Sequence, residues 1–143
     1  MTTPFYSPSC TTGSGRSSRA GIALCSISES YTVLATLLTG DVFHMVKIPA
    51  GATVLDLILD ASDLDSAAGN ELTLSVGYTG ALEAFISQST IGQTGGIARL
   101  SVVGGTQKNF AAADTIQVSA TAGAEVAQAS GTIKLTVLYT MDP

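Results

Sequence analysis

The polar side chains best spaced for chemistry are acidic. Asp56, Asp60, Asp63, Asp65 and Glu71 fall within sixteen residues, in the run DLILDASDLDSAAGNE. Carboxylates at a strand end and on the loop that follows can converge on a hard cation such as Ca²⁺, and Asp60, Asp63 and Asp65 are the candidate ligands. The spacing is not that of an EF-hand, because the glycine and the closing glutamate are misplaced. Asp63 and Asp65 also suit a turn, each carboxylate accepting hydrogen bonds from nearby backbone N–H groups. A third use is contact with a basic side chain of a partner. The spacing favours the turn, and no cofactor is expected.

The other reactive residue types are scattered. His44, the single histidine, alternates with Val42 and Val46 and so belongs on an apolar strand face, as a hydrogen-bonded core or interface residue. A zinc site needs three or four nitrogen or sulfur ligands, and one His with Cys10 and Cys25 does not supply them. The two cysteines read as thiols, because the N-terminus lacks the charged and apolar regions of a secretory signal and a reducing compartment is expected. No G-x-S-x-G elbow is present. The loops Gly13-Ser14-Gly15-Arg16 and Gly92-Gln93-Thr94-Gly95-Gly96 lack the Lys-Ser/Thr ending of a phosphate loop. Catalysis is not expected.

Period-two alternation dominates the elements that must position these residues. It is clearest where Leu72, Leu74, Val76 and Tyr78 alternate with Thr73, Ser75 and Gly77, and where Ile133, Leu135, Val137 and Tyr139 alternate with Thr132, Lys134, Thr136 and Leu138. Further strands are predicted over Tyr31–Leu38, Val42–Ile48, Val54–Asp60, Ala98–Val102 and Ile116–Thr121, with an eighth over Ile22–Ile27. Turn residues punctuate them, among them Thr39-Gly40-Asp41, Pro49-Ala50-Gly51 and Gly123. Only Ala81–Ser89 has the spacing of a short helix, with Leu82, Ala84, Phe85 and Ile86 on one side. The expected fold is all-β: an antiparallel β-sandwich or jelly roll of about eight strands, one short helix, and an extended arm over residues 1–20 ahead of a domain over 21–143. The arm is rich in Ser, Thr, Gly and Pro, and its Phe5 and Tyr6 read as an anchor pair for a partner or for the domain itself.

Composition narrows the role. Of 143 residues, 45% are hydrophobic and only 12% charged, half the roughly 25% usual in a soluble domain. Mean hydropathy is +0.40. A monomer of this size exposes roughly 6,800 Å², which Thr, Ser, Ala, Gly and Gln must largely cover; such a surface suits a chain packed against copies of itself or a partner. The net charge of −5 argues against nucleic acid. The first 28 residues carry Arg16 and Arg19 and no acid, so the arm can meet an acidic neighbour. No run of 18 apolar residues exists, so no membrane-spanning helix is expected. Gln88–Gly96 forms a long polar excursion, and Gln88, Thr90 and Gln93 are its candidate contact residues.

An ordered set of short motifs adds a resemblance. Lys47-Ile-Pro-Ala-Gly-Ala52, Asp63-Leu-Asp65, Leu72-Thr-Leu-Ser-Val-Gly77 and Thr132-Ile-Lys-Leu-Thr-Val-Leu-Tyr139 follow one another as they do in small head decoration, or cementing, proteins of tailed bacteriophages, which this chain resembles over residues 31–140. The resemblance implies a jelly roll that binds the outside of an assembled capsid, forms homodimers or homotrimers and bridges neighbouring major capsid proteins. It implies a place on the virion exterior after synthesis in the bacterial cytoplasm, and no catalytic residues. Phe5, Tyr6, Arg16 and Arg19 are then the expected capsid contacts. A tail or neck subunit of a virion is the first alternative. A carbohydrate-binding module is the second, disfavoured because there is no Trp and Tyr31, Tyr78 and Tyr139 lie on apolar alternations.

Overall fold

In a computed structural model, β9 (Gly131–Met141) realises the alternation most fully. Ile133, Leu135, Val137 and Tyr139 are completely buried, whereas Thr132 and Lys134 face out. Side chains of a strand point to alternate faces, so one apolar register is enough to build an inner wall. The structure describes residues 23–33, 37–65, 71–103, 105, 107–123 and 131–141. Within them lie β1 (Ala23–Val33), β2 (Val42–Ile48), β3 (Ala52–Ala61), β4 (Thr73–Tyr78), β5 (Ala81–Ser89), β6 (Gly96–Arg99), β7 (Lys108–Phe110) and β8 (Asp114–Ala122), with a single 3₁₀ turn at Ile91–Gln93.

All pairings are antiparallel. One sheet runs β1-β9-β3-β6, with β7 also on β3, and the other runs β2-β8-β4-β5. The first strand pairs with the last and β2 with β8, while the innermost pair, β4 and β5, is a hairpin. A long ribbon folded back on itself and rolled gives this nested order, the wiring of a jelly roll. The core between the sheets includes Met45, Ile48, Leu57, Leu59, Leu72, Leu74, Phe85 and Ile116, all fully buried. Each such side chain contributes about 1.5–3 kcal/mol when taken from water.

The short helix expected over Ala81–Ser89 is instead strand β5. Its partners on β4 are Tyr78 for Ala81, Val76 for Ile86 and Leu74 for Ser89, so extra residues bulge out of the ladder twice. A bulge breaks period two, and it leaves the consecutive Phe85 and Ile86 both buried, a spacing that mimics a helical face. Gly77 shows how close β5 lies: a Cβ there would sit 2.0 Å from the Ala81 carbonyl oxygen. The separate strands expected at Ile22–Ile27 and from Tyr31 are one uninterrupted β1 across Ser28-Glu29-Ser30, where Glu29 occupies an inward, buried position. The strand expected over Ala98–Val102 ends at Arg99, and β7 is too short to show a period.

Candidate interaction surfaces

The acidic residues of the β3–β4 connection separate rather than converge. Asp60 is exposed on β3, opposite Lys134 of β9 and Ile97 of β6. Asp63 Oδ1 accepts the N–H of Asp65 at 3.2 Å. Asp65 is buried, and its Oδ2 accepts the N–H groups of Glu71 (2.9 Å) and Leu72 (3.1 Å). Asp65 therefore ties the end of one loop to the entry of β4, satisfying a buried backbone donor that would otherwise cost about 1–3 kcal/mol. Among the described residues no three His, Cys, Asp or Glu side chains gather as a metal site. The geometry of Asp63 and Asp65 is that of turn formation.

The polar excursion after β5 is fastened to that same loop. The Gly92 carbonyl accepts the N–H of Leu64 at 2.8 Å, and the Ile91 carbonyl that of Gly95 at 2.7 Å. Gln93 is half-buried and donates Nε2 to the Leu72 carbonyl at 3.0 Å, so its amide serves its own chain. Thr90 and Gln88 are exposed; the backbone N–H of Gln88, at φ 51°, donates to Ser75 Oγ. Of the three loop candidates, Gln88 and Thr90 face solvent and Gln93 is a fastener. The two loops form one buttressed pole rather than a free excursion.

His44 is half-buried, its Nδ1 2.9 Å from Thr115 Oγ1. Buried Gln117 donates Nε2 to Thr115 Oγ1 (3.0 Å) and Thr79 Oγ1 (3.1 Å), and Thr79 donates to Asp114 Oδ1 (2.7 Å). This hydroxyl and amide chain satisfies polar groups along the β2-β8-β4 side, the placement expected of a hydrogen-bonded core or interface histidine. Cys25 is buried. Cys10 and the arm candidates Phe5, Tyr6, Arg16 and Arg19 lie outside the described residues.

The β1-β9-β3-β6 sheet presents a broad outer face. Ser26, Ser28, Ser30 and Thr32 of β1 run along one side. Ser28 and Thr136, directly opposite in the β1–β9 register, hydrogen-bond through their hydroxyls at 2.8 Å. On the far side Asp56 and Arg99 form an ion pair. The sequence shows hydroxyl-rich strands, but which of them lie side by side follows only from the pairing of the first strand with the last.

No family model and no curated protein matches the sequence. Solved structures do share the fold. A chain of the cyanophage Pam1 capsid asymmetric unit superposes with a TM-score of 0.76 at 24% identity, over 84% of this chain and 86% of that one. A chain in the capsid of Ralstonia phage GP4 gives the same TM-score and identity over 88% of each. A chain in the acidic stable capsid of Helicobacter pylori bacteriophage KHP30 gives 0.60 at 13% identity, over 85% and 94%.

Proposed function

We propose that this chain is a structural protein of a phage virion that binds the outer surface of a tailed-phage capsid as a decoration, or cementing, protein. One observation carries this reading: the two-sheet fold is shared over more than four-fifths of both partners with chains from two phage capsids. The near-equal shares covered also mean that those chains are about as short as this one, which suits an accessory to a shell. The weakly charged, hydroxyl-rich exterior supports docking over any freely diffusing role. On this reading the protein acts by binding, with no catalytic step.

Cementing is then linkage. A protein that binds only the assembled shell stabilises it by about 4 kcal/mol per site when present at a thousandfold excess over Kd, and the gain is repeated at every site. The N-terminal segment adds reach, since twenty extended residues span roughly 65 Å. Phe5 and Tyr6 are the proposed anchors, and Arg16 and Arg19 the partners of acidic capsid residues.

Electron microscopy of phage particles with and without the protein tests the reading. Added density on the outside of the head, with a shell that resists heat better when decorated, is the expected result. Density confined to the tail or neck, or no binding to expanded shells, overturns it. Deleting residues 1–20 is expected to weaken capsid binding while the β-domain stays folded; undiminished binding removes the role given to the arm.

A further inference from the structure

We propose that His44 is held as a hydrogen-bond donor, through Nε2, for an acceptor oxygen of a bound partner, and that Asp114 sets this role from the far end of a hydrogen-bond chain. The state of the ring is independent of the capsid reading; the identity of the partner rests on it.

The chain has a direction because one of its ends can only accept. An ionised carboxylate has no hydrogen to give. Asp114 Oδ1 therefore takes the single hydroxyl hydrogen of Thr79 at 2.7 Å, and it also accepts the N–H of Thr115 at 2.7 Å. With its hydrogen committed, Thr79 Oγ1 can only accept from the Gln117 amide, 3.1 Å away. Gln117 must then turn its nitrogen to Thr79, since its oxygen there would set two acceptors face to face. The same nitrogen gives its second hydrogen to Thr115 Oγ1 at 3.0 Å.

Thr115 then has one hydroxyl hydrogen left, and His44 Nδ1 stands 2.9 Å from its oxygen. If Thr115 donates, every hydrogen of the chain meets an acceptor and Nδ1 is bare. If Nδ1 carried the proton instead, the Thr115 hydrogen would have no acceptor among the described residues, the costlier arrangement for a half-buried hydroxyl. The bond made by one ring nitrogen decides which of the two is protonated. Neutral His44 thus carries its hydrogen on Nε2.

Placement supplies the partner's chemistry. His44 lies opposite Gln117 in the β2–β8 register, and because Ile116 and Val118 point into the core, both stand on the outer side of the sheet. The strand that carries His44, β2, is the margin of that sheet among the described residues. Other polar side chains of this side serve one another, as Thr121 does with Thr73 and Ser75. The Nε2 of His44 has no such partner among the described residues, and the ring is half-buried. A preset N–H on a ring already held in place fits a carbonyl or carboxylate oxygen, and no proton or side chain has to be rearranged when that oxygen arrives.

Nitrogen NMR of the full, untagged chain is the test, and the single histidine makes the ring signals unambiguous. At about pH 9, where imidazole is neutral, the expected spectrum has a protonated Nε2 and a bare Nδ1. Asp114→Ala and Thr79→Val release the direction of the chain and are expected to mix the two forms, whereas Asp114→Asn, which keeps an accepting oxygen, is expected to restore the wild-type spectrum. Thr79 is exposed, so its variant serves if Asp114→Ala does not fold. A ring protonated on Nδ1 overturns the proposal, as does a ring indifferent to both Asp114→Ala and Thr79→Val. His44→Phe is expected to bind phage shells about tenfold more weakly than the wild type, and equal binding overturns the donor role. Shells that bind neither protein would count against the capsid reading and so against the partner named here, while the spectra still decide the state of the ring.

Discussion

Two residues carry more than their size suggests. Gly77 has no room for a methyl group, because the Ala81 carbonyl and the Leu82 backbone occupy the space where a Cβ would stand. Backbone cannot give way as a flexible side chain can, so Gly77→Ala is expected to cost about 3 kcal/mol, read as a lowered urea midpoint. Asp65 holds the N–H groups of Glu71 and Leu72 on one oxygen. Asp65→Ala leaves both donors without that acceptor and is expected to cost about 2–3 kcal/mol, and Asp65→Asn, which keeps an oxygen in place, clearly less. Added calcium is expected to leave the melting temperature unmoved; a rise would restore the metal role for Asp60, Asp63 and Asp65. Arg99→Ala is the contrasting case. The Arg99 side chain is 65% exposed, so losing its ion pair with Asp56 is expected to change stability by less than about 1 kcal/mol.

At the scale of elements, β5 separates two readings of the same residues. A helix would place Leu82, Phe85 and Ile86 on one side with similar burial. In the bulged strand Phe85 is fully buried and Leu82 is 37% exposed. Phe85→Ala is therefore expected to cost about 3–5 kcal/mol, and Leu82→Ala far less; equal losses in denaturant unfolding would argue for the helix. Regular strands were legible from alternation, most plainly β9, where the apolar register coincides with burial; in β4 Ser75 and Gly77 are buried along with the apolar set. Bulges were not, because period two fails wherever two residues oppose one. Glu29 hid the continuity of β1, its charge marking a break where the chain in fact continues inward. Among the candidate contacts, Asp63 and Asp65 were legible as turn formers because Asx chemistry is local. The fastening role of Gln93 depends on the carbonyl of Leu72, twenty-one residues earlier, and no local pattern encodes it.

At the scale of the molecule, the nested ribbon makes nearly every ladder a long-range one. Pairing β1 with β9 closes a loop of about a hundred residues, and such topologies fold slowly, on the order of milliseconds to seconds. Stopped-flow refolding is expected to be slow in this sense. Removing residues 131–143 takes the strand that lies between β1 and β3 and is expected to abolish folding altogether, checked by loss of the β-sheet circular dichroism signal.

The same nesting sets Ala23 beside Met141, the first described residue of β1 against the last of β9. Sequence enters and leaves the rolled body at a single pole, on neighbouring strands. A short linker from Met141 to Ala23 is thus expected to suffice to close the ring and let it be reopened elsewhere, making the fold a natural host for circular permutation. Cargo joined at Ala23 or at Met141 would be presented from that one pole, which recommends the body as a display scaffold.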